Sequence, residues 1–487
     1  MEEKQKLTGR AKLSYALGAV GKDMVYMLSA SYVLYYFQDV MGVSAIAMGT
    51  ILLIARVFDA FNDPIMGVIV ARTKTRWGKF RPWLMIGTLT NAVVLFLMFA
   101  APPKLDAAGL TAYAAVTYIL WGVTYTMMDI PYWSMIPAFT EGGKEREGLT
   151  TLARSCAGVG SAIITIVTIL AVHALGGGSG RENEILGFKW FSLIVAVLFV
   201  GFTVLTCVNV KERSTAQMET VSVGQMFKAL LQNDQALAIV IAIVLINCSV
   251  YITSNLVLYF FKYDFGGAGW DGSYTLFNTF GGAMQILSMM LLYPLLRNGL
   301  KLSNTKIFYT CLTMSIVGYA VLLGLAFTNM SNVYILFIPG FFIMAASGLL
   351  NILTTVFLAN TVDYGELKNA RRDESVIFSM QTFVVKLASG IAAFVASICL
   401  QITGISDVED AVTAAAEAVG QSVDEYQVIY SDLVQSSAKV GLRMTMTIVP
   451  IVGLLIAILW FRKKYILTDS KVAEISRQVK ALHGAEV

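Results

Sequence analysis

Three charged residues recur at i, i+3 and i+7 inside an apolar run: Arg56, Asp59 and Asp63 in ARVFDAFNDPIMG, residues 55–67. At 3.6 residues per turn they share one stripe of a helix. Two carboxylates about 6 Å apart, in an effective dielectric near 20, repel by about 3 kcal/mol. Arg56 can relieve one of them at most. The stripe therefore calls for a proton or a bound cation. Asn62 adds an amide oxygen beside the pair. An all-oxygen set of this kind suits a hard monovalent cation or a proton better than a transition metal.

More charges lie in apolar surroundings: Lys22, Arg154 and Lys386, with Asp23 and Asp129. Together with the stripe they make four positive and four negative groups. On the lenient insertion scale each costs about 3 kcal/mol at a membrane helix centre. Eight unpaired charges would cost on the order of 24 kcal/mol, more than a typical folding stability. They are expected to face one another, or a wet cavity, within a helical bundle. Polar and aromatic residues accompany them. Tyr125, Asp129 and Trp133 follow at i, i+4 and i+8, and GKDMVY (21–26) joins Lys22 and Asp23 to Tyr26. An aromatic face beside a carboxylate is a common way to hold a sugar, with the ring stacked on the sugar's apolar side and the carboxylate accepting from its hydroxyls. A ninth in-span charge, Arg443, sits near the outer end of its segment and is expected to snorkel.

The elements that must position these groups are membrane helices. The 487 residues are 56% hydrophobic and only 14% charged, against about a quarter charged in soluble domains. Twelve segments reach the roughly 20 apolar residues of a span: 12–37, 45–71, 83–101, 110–138, 148–175, 189–210, 235–262, 273–295, 305–327, 333–362, 375–403 and 440–462. With the N-terminus inside, the inner segments hold 26 of the 36 Lys and Arg and the outer ones only five. This asymmetry places both termini in the cytoplasm. The basic loop Arg72–Arg81 is then cytoplasmic, and the longest inner loop divides the spans six plus six. The expected organisation is an N-terminal bundle over 1–210, a cytoplasmic central loop over 211–234, a C-terminal bundle over 235–462 and a cytoplasmic tail over 463–487. The outer loop 404–438 reads as a short helix or cap without chemistry.

Several function classes fall away. No P-loop pattern occurs, which argues against ATP as the energy source. The two histidines and five scattered cysteines form no metal-ligand spacing. There is no nucleophile–base pair and no soluble catalytic domain, so neither an enzyme nor a sensor is expected. No cleavable signal peptide is read at the N-terminus.

The runs GKDMVY (21–26), ARVFDAFNDPIMG (55–67), RTKTRWGKFRPW (72–83), MDIPYWSMIP (128–137), NTVDYGE (360–366) and QTFVVK (381–386) closely resemble, in order, the glycoside–pentoside–hexuronide:cation symporters. The likeness is to the melibiose permease-like group of the major facilitator superfamily. The resemblance implies an all-α membrane protein of twelve transmembrane helices, a major facilitator fold in two six-helix halves. It implies sugar uptake coupled to Na⁺ or H⁺ by alternating access, in the inner membrane of a bacterium. The family's cation site matches Asp59 and Asp63 with Asn62 and Thr126, Na⁺ being held by the two carboxylates. Its sugar site matches Lys22, Asp23, Tyr125, Asp129, Trp133 and Arg154, and its span-eleven lysine matches Lys386, with Thr382 one turn earlier. Arg146 matches an element of the inner gate. Where melibiose-type members carry a tryptophan in span ten, this chain has Asn351, which puts melibiose itself in doubt. The implied partners are a sugar or glycoside, the coupling ion and the bilayer, with no cofactor and no nucleic acid, for a monomeric carrier. The alternative is a carrier of the same fold for a non-sugar solute, an exporter or lipid transporter.

Overall fold

A computed structural model describes residues 7–139, 144–211, 223–266, 269–328, 330, 332–369, 374–418 and 430–485. Helices α1 (Gly9–Tyr35), α2 (Ala45–Arg72), α3 (Arg81–Met98), α4 (Ala107–Ser134), the short α5 (Ile136–Phe139), α6 (Lys144–Gly176) and α7 (Arg181–Asn209) come first. After the short helix α8 (Val223–Gln232) follow α9 (Asp234–Tyr259), α10 (Trp270–Leu287), α11 (Asn304–Thr328), α12 (Val333–Asn369) and α13 (Glu374–Thr403). The chain closes with α14 (Val408–Ala418), α15 (Tyr430–Leu433), α16 (Ser436–Lys464) and α17 (Asp469–Ala485). In hydrocarbon no water can satisfy the backbone, so each span must close its own hydrogen bonds, and helix is the outcome.

Among the described residues, eleven helices are long and apolar enough to cross a membrane. The twelfth span is α1. Its 27 residues suffice in length, but Arg10, Lys12, Lys22 and Asp23 depress its hydropathy. Side chains start several helices. Thr8 accepts from the Ala11 N–H, Asp106 from Gly109 and Asn233 from Ala236, satisfying donors that no helical carbonyl can reach. The basic loop turns at Gly78, whose φ of +109° suits glycine, and the Thr75 hydroxyl donates to the Gly78 carbonyl at 2.7 Å.

The chain divides into two compact units, residues 1–220 with 406–428 and residues 221–405 with 429–487. In the first, α1 packs on α6 and α7, α4 on α2 and α3, α3 on α7, and α6 on α7. In the second, α9 packs on α13 and α16, α12 on α10 and α11, α11 on α16, and α13 on α16. Numbered as spans, these are the same pairs displaced by six, a repeat that the sequence shows only weakly. Helix α14 is grouped with the first unit, where Arg181 Nη1 lies 2.8 Å from Asp410 Oδ1 and Arg181 Nε donates to the Val40 carbonyl at 2.7 Å.

Close helix approach follows small residues. A Cβ added at Gly160 of α6 would come within 2.3 Å of the Val20 carbonyl oxygen on α1, and one at Gly87 of α3 within 2.7 Å of the Met128 backbone nitrogen on α4. Glycine at such positions lets backbones meet. Tyr15 and Tyr132 then lock α1 to α4. Their rings stack at 4.4 Å and each hydroxyl donates to the other's carbonyl at 2.5 Å.

Candidate sugar and cation sites

Lys22 is the centre of the first cluster. It is buried on α1, and its Nζ lies 2.7 Å from Asp129 Oδ1 and 3.3 Å from Asp23 Oδ1. It also donates to the Tyr125 hydroxyl at 3.0 Å. Helix α4 presents the rest of the partners at one-turn intervals, because Tyr125, Asp129 and Trp133 share a face. Trp133 Nε1 donates to Asp129 Oδ1 at 3.1 Å. The Arg154 guanidinium, from α6, stands 4.0 Å from the Trp133 ring centroid, within cation–π range. Tyr26, one turn beyond Lys22, packs against Tyr125 with ring centroids 5.6 Å apart. Seven residues singled out from sequence thus meet in one place.

The second cluster joins α2 to α4. Arg56 Nη1 lies 3.3 Å from Asp59 Oδ2, both side chains being buried. Asp63 Oδ1 accepts from the Thr126 hydroxyl at 2.9 Å. Asn62 Nδ2 is buried with no hydrogen-bond partner among the described residues. A cation thus lies against Asp59, and a hydroxyl donates to Asp63. Asp59, Asn62 and Asp63 lie within about one turn of α2, and Thr126 of α4 reaches Asp63. Gly122, one turn before Thr126, makes room: a Cβ there would stand 2.8 Å from Asp59 Oδ1. The clusters are contiguous through α4, because Tyr125 and Thr126 are consecutive residues serving one each.

The remaining sequence-selected residues lie elsewhere. Lys386 is half-buried on α13, in the second unit. The side chains of Thr382, one turn before it, and of Arg146 on α6 lie outside the described residues. Asn351 is exposed on α12.

One expectation is corrected. Arg443 does not snorkel. Its Nε and Nη2 engage Asp264 at 2.7 and 2.6 Å, and Nη1 donates to the Ala326 carbonyl at 2.6 Å. Asp264 sits in the π-helical turn Phe260–Phe265 that prolongs α9, so its carboxylate is carried inward rather than into the outer loop. A bidentate charge-assisted pair holds the guanidinium more firmly than water at the interface would. A second buried acid also escaped the sequence reading. Glu184 accepts from the Tyr35 hydroxyl at 2.9 and 2.8 Å and lies 2.9 Å from His173 Nε2. It lies before the apolar run 189–210, in the first turn of α7.

Residues 14–469 match the family described as MFS/sugar transport protein. The chain belongs to this family. The transporter is 29% identical to the lactose permease of Lactobacillus delbrueckii subsp. bulgaricus, an alignment covering 99% of this chain and 74% of that one. It is 27% identical to the inner membrane symporter YicJ of Escherichia coli, covering 78% of this chain and 80% of that one. A solved structure, a bacterial homologue of the human lysosomal transporter Spinster, matches with a TM-score of 0.61 at 11% identity over 94% of this chain and 95% of that one. That likeness is one of fold. The transporter is accordingly a multi-span membrane protein with the major facilitator architecture, and the two clusters above occupy one of its six-helix units.

Proposed function

We infer that this transporter carries a sugar or glycoside into the cell together with a cation, by alternating access. The observation that carries the reading is the sharing of α4. Thr126 donates to Asp63 of the carboxylate pair, while its neighbour Tyr125 accepts from Lys22, which pairs with Asp23 and Asp129. Na⁺ is the favoured ion, with H⁺ as the alternative, because both carboxylates and two neutral oxygen donors are present. Bound between Asp59 and Asp63, the cation relieves their repulsion and competes with Arg56 for Asp59. Asp23, Asp129, Tyr125 and Trp133 hold the sugar, with Lys22 and Arg154 orienting the carboxylates. The family resemblance adds Lys386 and Thr382 as sugar-binding candidates and Arg146 as a gating candidate. Occupation of both sites permits the change of access, a reciprocal coupling of a few kcal/mol. A membrane potential adds about 2.3 kcal/mol per charge for each 100 mV.

Lys22 and Arg154 balance Asp23 and Asp129, so this cluster is neutral as a whole. A neutral glycoside leaves that balance intact, whereas a uronide would call on Lys386 as a further cation. The chain acts as a carrier rather than an enzyme, in a bacterial inner membrane, with both termini cytoplasmic. The deciding measurement is uptake of labelled lactose by cells expressing Asp59→Cys, with and without Na⁺. The expected result is loss of Na⁺ stimulation; its survival would sink the cation assignment. Competition by neutral glycosides is expected in the same assay, and competition by hexuronides as well would point to Lys386 as the further cation.

A further inference from the structure

A row of aromatic rings runs from Tyr125 of the first cluster toward Arg56 of the second. Tyr118, Trp121 and Tyr125 stand on α4 at i, i+3 and i+7. The Tyr118 and Trp121 rings stack with centroids 5.7 Å apart at 15°, and those of Trp121 and Tyr125 at 5.2 Å and 22°. Each end of the row meets a cation. The Arg56 guanidinium is 5.8 Å from the Tyr118 centroid, and Lys22 Nζ is 5.4 Å from that of Tyr125 as well as bonded to its hydroxyl. Tyr26 flanks both Trp121 and Tyr125, at 6.3 and 5.6 Å. Trp121 is only 1% exposed, so its indole cannot move without moving its neighbours. The backbone beneath it is fixed from α3, where Asn91 Nδ2 donates to the Trp121 carbonyl at 3.0 Å and to the Thr124 hydroxyl at 2.9 Å. The indole N–H itself has no acceptor among the described residues. A buried donor left unpaired favours any second arrangement that supplies a partner.

We propose that Trp121 is a positioning residue that couples the cation site to the sugar site. The proposal rests on the cation-coupled reading. When the coupling ion neutralises Asp59, Arg56 gives up that carboxylate and settles further onto the Tyr118 face. The stacked row passes the displacement to Tyr125, and Tyr125 changes the direction in which Lys22 is held between Asp23 and Asp129. Packed side chains with two discrete arrangements are a physical route for such coupling. The orphaned indole N–H supplies the second arrangement here.

The test measures lactose affinity with and without Na⁺ in purified, lipid-reconstituted protein. In the wild type Na⁺ tightens lactose binding; couplings of this kind run from about 5- to 150-fold. Trp121→Met, which fills the volume without a ring, is expected to reduce the Na⁺ effect to less than about twofold. Lactose affinity without Na⁺ stays within about threefold of wild type. Trp121→Phe, which keeps the stack, is expected to restore most of the effect. Three results overturn the proposal: wild-type coupling in Trp121→Met, which would leave the α4 backbone as the route; equal loss of lactose binding with and without Na⁺, which would make Trp121 a sugar-site residue; or a Trp121→Met protein that binds neither ligand, which a structural role explains. An absence of Na⁺–lactose coupling in the wild type is a different failure, because it removes the symport reading and this inference with it.

Discussion

A single hydrogen at Gly122 separates an open carboxylate from a crowded one. A methyl there would lie 2.8 Å from Asp59 Oδ1, closer than carbon and oxygen tolerate. The aspartate side chain is short, and Arg56 already holds its other oxygen at 3.3 Å. Gly122→Ala is therefore expected to weaken Na⁺ binding by about tenfold, equivalent to about 1.4 kcal/mol, while lactose binding without Na⁺ is retained. Isothermal titration of both ligands checks this; an unchanged Na⁺ affinity would show that Asp59 Oδ1 is not an ion ligand. At this scale the sequence was informative where charge made a residue conspicuous. Lys22, Asp23, Asp59, Asp63 and Asp129 stand out from apolar neighbours because burying a charge is expensive. Gly122 carries no such signal, and neither does Trp121, since tryptophan in a membrane helix is ordinary. The periodicity that linked Tyr125 to Trp133 does extend back to Trp121 and Tyr118, at i−4 and i−7, and was the one available clue.

Between helices, a bidentate joint outside the two clusters is Arg443 on α16 with Asp264 at the end of α9. Two parallel bonds of 2.7 and 2.6 Å tie the spans. Removing one partner leaves the other charge buried and alone, which costs about 3–5 kcal/mol, whereas replacing both by apolar residues is often neutral. Asp264→Leu and Arg443→Met should each lower the thermal midpoint of the detergent-solubilised protein, and the double variant should recover most of the loss. If the double variant is as unstable as the singles added together, the pair is not the joint described here. The sequence placed Arg443 in a span and Asp264 in a loop. The π-helical turn Phe260–Phe265 joins them, and its extra residue per turn is invisible to a 3.6-residue periodicity. The helices themselves were legible. All twelve segments read from hydrophobicity fall on long helices, with ends displaced by up to eight residues; caps such as Asp106 and Asn233 begin a helix earlier than the apolar run.

For the whole molecule, the charge asymmetry of 26 inner to five outer basic residues implies a definite orientation. In cells expressing cysteine variants, Lys104→Cys should react with an impermeant maleimide added outside. Lys471→Cys should react only after the membrane is opened; the reverse pattern would invert the topology. Composition, hydropathy and loop charge determined the class, the spans and the expected orientation from sequence alone. They could do so because lipid imposes its demands locally: every span must close its own backbone hydrogen bonds, and every basic loop meets the same barrier to crossing. The order of motifs, read as a family resemblance, further picked out the carboxylate pair and the residues around Lys22. What remained belonged to tertiary structure. The displaced-by-six pairing of helices, the choice of Asp129 and Asp23 as joint partners for Lys22, the capture of Arg443 by Asp264, and the ring row from Arg56 to Lys22 join residues far apart in sequence or on different helices. Which buried charge meets which depends on how helix faces pack, and packing is settled by small residues such as Gly87 and Gly160 that let two backbones touch. No local pattern in the chain encodes that choice.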